Sequence, residues 1–210
     1  MLITLEGLDG SGKTTQARRL ADWLSAQGAD VLLTREPGGT AVGDAIRALL
    51  ADPAHAGMEA RAELMLFCAS RAQLVAERIR PHLDRGGVVV CDRFADSTLA
   101  YQGYGRGLDL AFLRALLDFT TGGLTPDLTL YFDLPPELGL SRRRRQGTLE
   151  RMETEQLAFY QRVRQGYLEL ASQSPARWCV IDATQPEEII AAAVRAFIAE
   201  RLPKRPDSQA

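Results

Sequence analysis

One stretch, Gly7-Leu8-Asp9-Gly10-Ser11-Gly12-Lys13-Thr14, restricts the folds open to this chain more than any other feature. It matches the pattern G-x-x-x-x-G-K-[ST], and the apolar run Leu2 to Glu6 leads straight into it. An amphipathic segment follows, with Ala17, Leu20, Ala21 and Leu24 at helical spacing. This strand–loop–helix context is the one in which the pattern cradles phosphates. Glycines let the backbone turn so that successive N–H groups point inward, and the start of the helix adds partial positive charge for phosphate oxygens. Lys13 then reaches the β- and γ-phosphates, and the Thr14 hydroxyl ligates Mg²⁺. Only Lys13 and Lys204 are lysines among 210 residues, so an accidental match is on the order of one in a thousand.

Around that loop the chain alternates strands and helices. Further short apolar runs at 31–33, 87–91, 128–132 and 178–181 read as buried strands. Helical patterning covers about 13–27, 41–51, 60–80, 108–119, 136–145 and 150–172, with Pro81 near the end of the third and Pro186 opening a last helix. The alternation predicts a P-loop NTPase-type three-layer α/β/α fold, its five-stranded parallel sheet joined by right-handed crossovers. Residues 1–202 read as one domain and the polar residues 203–210 as a disordered tail. Ligands in such sheets lie beyond the carboxyl ends of the strands, which points to the loops after residues 6, 34, 91, 132 and 181.

Composition removes several function classes. A net charge of -2 argues against a general nucleic-acid or membrane-surface binder. No apolar run approaches the roughly 20 residues of a membrane span, and the opening strand leaves no room for a signal peptide. Cys68, Cys91 and Cys179 are far apart in apolar surroundings, as reduced thiols of a cytoplasmic protein would be. The chain contains no asparagine, which counts against a GTPase reading guanine through an asparagine-lysine-x-aspartate loop. It is also short for a motor or transporter ATPase.

Four further segments fall at the predicted ligand edge. They are Arg35-Glu36-Pro37-Gly38-Gly39; Phe67 with Arg71, on one helix face; Asp92-Arg93-Phe94 with the following Asp96 to Gly103; and the run Arg142-Arg143-Arg144-Arg145 continuing to Arg151. An aromatic ring can stack on a base while a neighbouring guanidinium donates to a carbonyl or phosphate. Each has a plainer alternative. Phe67 alone fits a core position, Arg71 can pair with Glu63 or Glu77 on a solvated face, Asp92 and Arg93 can be a helix cap and its neighbour, and arginine runs are usually solvated. Together they suit phosphoryl transfer between two nucleotides, which needs many cations around a crowded anionic centre.

From Leu2 to Phe197 the chain resembles the bacterial thymidylate kinase family. The resemblance is carried by Glu6 to Thr15, Thr34-Arg35-Glu36-Pro37-Gly38-Gly39, Asp92-Arg93-Phe94, Tyr101-Gln102-Gly103 and Ile181-Asp182-Ala183-Thr184-Gln185-Pro186. It implies ATP and Mg²⁺ as cofactors and dTMP as the acceptor, with Gly7, Leu8, Asp9, Gly10, Ser11, Gly12, Lys13, Thr14 and Thr15 around the phosphates. The backbone of Ala183 to Gln185 would cradle adenine, and Thr14 and Asp92 would hold the metal. Asp9 would approach the sugar 3′-hydroxyl, Phe67 would stack on thymine, Arg71 would bond a ring carbonyl, and Thr98 and Gln102 would lie near the ring's polar edge. Arg93 would hold the acceptor phosphate in a pocket lined by Glu36, Pro37 and Arg47, and Tyr101 would exclude a ribose 2′-hydroxyl. The family's lid would span about 142–151, with Arg142, Arg143, Arg145 and Arg151 as candidate catalytic cations; the motif leaves open which reaches the transferring phosphoryl. The resemblance also implies a homodimer.

Two alternatives stay open: another monophosphate acceptor such as dUMP, UMP or CMP, and a binding module that hydrolyses ATP slowly to regulate a partner. For the kinase, the acceptor phosphate has its second pKa at about 6 and is already nucleophilic, so catalysis is alignment plus charge neutralisation. No strong base is needed, and His55 and His82 lie on no predicted ligand loop. Replacing both, His55→Gln with His82→Gln, is therefore expected to leave most turnover intact. Abolished turnover in a folded double variant would demand a histidine base.

Overall fold

The structure, a computed structural model, describes residues 1–145, 151 and 155–201. Five parallel strands form one sheet: β1 (Leu2–Gly7), β2 (Val31–Arg35), β3 (Val88–Asp92), β4 (Leu128–Asp133) and β5 (Trp178–Asp182), in the order β2-β3-β1-β4-β5. β1 is buried at all six positions, as its largely apolar character suits a strand covered on both faces. It pairs with β3 from Leu2 opposite Val89 to Leu5 opposite Asp92, and with β4 from Ile3 opposite Leu128 to Gly7 opposite Phe132. From β1 the chain crosses to the edge strand β2, returns inward through β3, and then runs out on the other side of β1 through β4 to β5. That leaves a crevice beyond the carboxyl ends of β1, β3 and β4, where α/β sheets bind their ligands.

Helices cover both faces. They are α1 (Lys13–Ala26), α2 (Ala41–Ala51), α3 (Ala60–Leu74), α4 (Arg80–Asp84), α5 (Ala95–Thr98), α6 (Leu110–Thr121), α7 (Pro136–Arg144), α8 (Leu157–Gln173) and α9 (Glu187–Ala199). On one face, Leu20 and Leu24 of α1 and Ile190, Val194 and Ile198 of α9 pack on Ile3, Leu5, Leu130 and Phe132. On the other, Leu113 and Leu117 of α6 and Phe159, Val163 and Tyr167 of α8 close over Tyr131 and Trp178. A third cluster sets Leu74, Val75 and Ile79 against Leu2, Val89 and Cys91. Among the described residues, no helix is long and apolar enough to cross a membrane.

The predicted strands and most helices are where the sequence puts them, and the departures have local causes. The helix expected to end near Pro81 runs on to Asp84 through a π turn at Val75–Ile79. Proline lacks an N–H and crowds the carbonyl four residues back, and a widened turn just upstream accommodates both faults. A helix was not predicted over 95–105, yet α5 continues into a π turn at Leu99–Gly105. Its glycines serve packing: a Cβ at Gly105 would lie 2.6 Å from Phe159, and one at Gly103 2.5 Å from Leu110. Pro186 caps α9 rather than entering its first turn. The described part of the predicted 150–172 helix starts at Leu157. The predicted tail, 203–210, lies outside the described residues.

Arg177, just before β5, clamps this frame to the site. Its guanidinium binds both oxygens of buried Asp96 at 2.6 and 3.0 Å and Thr129 Oγ1 at 2.6 Å, and it packs over the Trp178 ring. Arg177→Ala would leave the Asp96 carboxylate buried without its counter-charge. Urea unfolding is expected to show a loss of about 2 kcal/mol.

Candidate active site

At Gly7 and Gly10 the glycine-rich loop lies against main chain that leaves no room for a side chain. Gly7 (φ 146°) and Gly10 (φ 80°) take backbone angles that favour glycine. A Cβ on Gly7 would lie 2.6 Å from the Phe132 carbonyl oxygen, and one on Gly10 2.6 Å from that of Gly139 in α7. Lys13 is buried, and its Nζ donates to Leu8 O at 2.7 Å. Burial, reinforced by the positive charge of Arg93, pulls its pKa down to about 8.

Thr14 Oγ1 donates to Asp92 Oδ2 at 2.5 Å. The other oxygen, Asp92 Oδ1, is buried with no hydrogen-bond partner among the described residues. A hydroxyl and a carboxylate with spare lone pairs, at the mouth of a phosphate loop, fit Mg²⁺. This cation prefers hard oxygens and usually keeps waters and phosphate oxygens as its other ligands. Among the described residues no cluster of three or more His, Cys, Asp or Glu side chains could form an all-protein cage.

A cavity of about 610 Å³ opens from this loop. All ten predicted acceptor-site residues line it: Asp9, Glu36, Pro37, Arg47, Phe67, Arg71, Arg93, Thr98, Tyr101 and Gln102. So do Gly10, Gly12, Lys13, Thr14 and Thr15 of the loop region, and Arg142, Arg143 and Arg145. Arg71 is fully buried, and its partner is Glu36 rather than Glu63 or Glu77: Nε and Nη2 reach Glu36 Oε2 at 2.8 and 2.6 Å. Nη1 donates to Thr98 Oγ1 at 3.0 Å and Nη2 to Phe94 O at 3.1 Å. These contacts occupy four of the five guanidinium N–H groups and leave one on Nη1.

Arg93 joins the two halves of the cavity. It is the non-glycine residue with positive φ among those described (72°), and its amide donates to Leu5 O at 3.0 Å, which anchors that turn to β1. Its Nη2 reaches Asp9 Oδ1 at 2.7 Å and the Tyr101 hydroxyl at 3.2 Å, and its Nη1 reaches Ser97 Oγ at 3.2 Å. Burial pushes the Asp9 carboxyl up, but the charges of Arg93 and Lys13 outweigh it and hold the group at about 2. Tyr101 is fixed by edge-on contacts with Phe159 and Tyr167, and the Arg93 guanidinium sits 5.1 Å above its ring.

The thymidylate kinase family model matches residues 5–194. The chain belongs to the thymidylate kinase family. It is 51% identical to a thymidylate kinase of Desulfovibrio desulfuricans over 98% of both chains, and 52% identical to one of Deinococcus radiodurans over 96% and 97%. A crystal structure of thymidylate kinase from Ehrlichia chaffeensis superposes with a TM-score of 0.76 at 36% identity, covering 94% of this chain and 98% of that one. The family is one of phosphotransferases that use ATP as donor.

Other residues singled out from the thymidylate kinase resemblance lie outside the cavity wall. Leu8 is in the core and contributes its carbonyl. Ser11 is buried beside Lys13, and Gly7 ends β1. Ala183 O accepts from Arg142 Nη1 at 3.2 Å, and the same nitrogen reaches Gly10 O at 3.3 Å, so Arg142 bridges the loop and the predicted adenine cradle. Gln185 is exposed and bonds Asp182. Arg151 does not line the cavity: its guanidinium is buried on Leu50 O and Glu63, both at 2.8 Å. Lid residues 146–150 lie outside the described residues. Neither histidine lines the cavity; His82 is buried with Nε2 3.0 Å from Asp30 O.

Sequence reasoning gave no role to Glu6, which the structure places under Arg93. It accepts from Phe94 N at 2.8 Å, Ser97 Oγ at 2.5 Å and Tyr167 OH at 2.9 Å. Burial, with the nearby Asp96 charge, raises its pKa to about 7. The one signal for it in the sequence is a carboxylate near the end of a largely apolar strand. For Lys13 the depressed pKa has a measurable consequence. A bound diphosphate favours the charged ammonium, so MgADP binding is expected to take up protons between pH 8 and 9, approaching one per site, and to take up almost none at pH 6.5. Calorimetry in buffers of different ionisation enthalpy measures this; equal uptake at both pH values would refute it.

Proposed function

We propose that this chain transfers the γ-phosphoryl group of ATP to dTMP, giving dTDP and ADP in the supply of dTTP. The observation that carries the reading is a single cavity in which a triphosphate loop faces Phe67, Arg71, Tyr101 and Gln102 across Arg93. A phosphate oxygen of dTMP forms the new bond to the γ-phosphorus as the bond to the bridging β-oxygen breaks, and ADP carries away the electron pair. Gly7 to Thr15 hold the donor phosphates by backbone N–H groups, and Ala183 and Gln185 lie beside adenine. Mg²⁺, held by Thr14 and Asp92, supplies charge neutralisation on the donor phosphates.

Phe67 stacks on thymine, and the free Arg71 N–H donates to a ring carbonyl. Arg93, with Arg47 nearby, holds the acceptor phosphate, and Asp9 receives the 3′-hydroxyl. Tyr101, locked by its neighbours, occupies the volume a 2′-hydroxyl would need. Lys13, Arg93, Arg142, Arg143 and Arg145 line the cavity and are the cations proposed to offset the moving charge; Arg151, expected from the sequence to join them, is committed to Glu63 and Leu50 away from the cavity wall. Residues 1–202 act as one catalytic domain. The enzyme works in the cytoplasm on small molecules, as a homodimer and without nucleic acid.

ADP release is expected to rise strongly on adding dTMP, and in a panel of monophosphates at fixed ATP, dTMP should have the highest kcat/KM. Preference for UMP would remove thymidylate, and no stimulation by any monophosphate would favour a regulatory ATPase. Arg93→Ala is expected to cost at least about 10²-fold in kcat/KM for dTMP.

A further inference from the structure

Glu63 belongs to no motif, yet among the described residues it is the most heavily hydrogen-bonded carboxylate near the cavity. It sits in the first turn of α3, buried, and takes four hydrogen bonds. Oε1 accepts from Gln102 Nε2 at 2.9 Å and Arg106 Nε at 2.7 Å; Oε2 accepts from Arg106 Nη2 at 3.0 Å and Arg151 Nη2 at 2.8 Å. Burial pushes its pKa up, but hydrogen bonds from Arg106 and Gln102 outweigh that and hold it below the ordinary carboxylate range. The group is therefore ionised near neutral pH and can only accept.

An acceptor-only neighbour settles a question that a glutamine side chain otherwise leaves open. The Gln102 amide has a donor end and an acceptor end of nearly equal size, and either could face a ligand. With Glu63 2.9 Å from one end, that end has to be the NH₂. The amide oxygen has no hydrogen-bond partner among the described residues, and Gln102 lines the cavity. Across the same wall, Arg71 has one uncommitted N–H on Nη1. The cavity thus presents a donor and an acceptor in a fixed sense.

We infer that Glu63 is a specificity-determining positioning residue: by pinning the Gln102 amide it fixes an acceptor toward the base and so selects pyrimidines that carry an N3–H. This rests on the reading of the cavity as a pyrimidine monophosphate site. Thymine and uracil offer a carbonyl beside an N3–H donor, the complement of the Arg71 and Gln102 pair. Cytosine offers an amino donor beside an N3 acceptor, the reverse, and would set like against like at both positions. Glu63 touches no substrate and acts through Gln102.

The test compares kcat/KM for dTMP with that for dCMP in the wild type, in Glu63→Gln, and in the exchanged double variant Glu63→Gln with Gln102→Glu. In the single variant residue 63 no longer dictates which end of the Gln102 amide faces the base, and the dTMP:dCMP ratio is expected to fall about tenfold or more. In the exchanged variant a carboxylate at 102 can only accept, and the ratio is expected to return toward the wild-type value, whatever the absolute rates. A folded single variant that loses activity while keeping its ratio would show a merely structural Glu63 and overturn the inference; so would an exchanged variant whose ratio stays collapsed. If Glu63→Gln does not fold, the exchanged variant, which keeps the local charge, decides alone. Wild-type protein that turns over dTMP and dCMP equally also overturns it while leaving phosphoryl transfer standing; failure to turn over any monophosphate would instead sink the kinase reading.

Discussion

Everything at this site depends on one guanidinium placed at the meeting point of three segments. Arg93 leaves β3 in a left-handed turn tied to β1 and reaches Asp9 in the phosphate loop and Ser97 and Tyr101 in the helical stretch behind it. Its positive charge also helps to hold both the Asp9 and the Glu6 carboxyls toward their ionised forms. With it, a buried array of carboxylates and cations becomes affordable because each charge has a partner with hydrogen bonds. In the proposed reaction the same group would stand where the donor triphosphate meets the single phosphate of the acceptor.

Almost all the cations facing the cavity are arginines, which keep their protons at any pH where the protein is folded. Asp9 is held at about 2 and so is charged throughout the same range. Two groups of this site have pKa values moved toward neutrality, Lys13 to about 8 and Glu6 to about 7. One grips the loop from within and the other lies below Arg93, so titration acts on the scaffold of phosphate binding rather than on a general base.

The fold was legible because buried parallel strands read as unbroken apolar runs, as in Val88 to Cys91, and because the glycine pattern ties a strand to a helix. That ten residues from segments far apart in the chain line one cavity was legible through family resemblance. What sequence could not supply was partner choice. Arg71 has acidic residues on its own helical run in Glu63 and Glu77, yet it pairs with Glu36, 35 positions away, because the end of β2 is folded against α3. Glu63 in turn is taken by Gln102, Arg106 and Arg151, residues that only the tertiary fold makes its neighbours. No helix is predicted over 95–105, because glycine is a poor helix former in isolation; in the fold Gly103 and Gly105 let Leu110 and Phe159 approach.

The contact between Gly10 and Gly139 has a mechanical consequence. Main chain touches main chain there, with no side chain between to bend or repack as a cushion. Helix α7 carries Arg142 and Arg143 on the same rigid body as that contact. A tilt of the helix in either direction would have to drag the loop along or break the seam. The arginines and the phosphate cradle therefore keep a common frame of reference, and geometric error accumulated elsewhere in the molecule does not enter the distance between them.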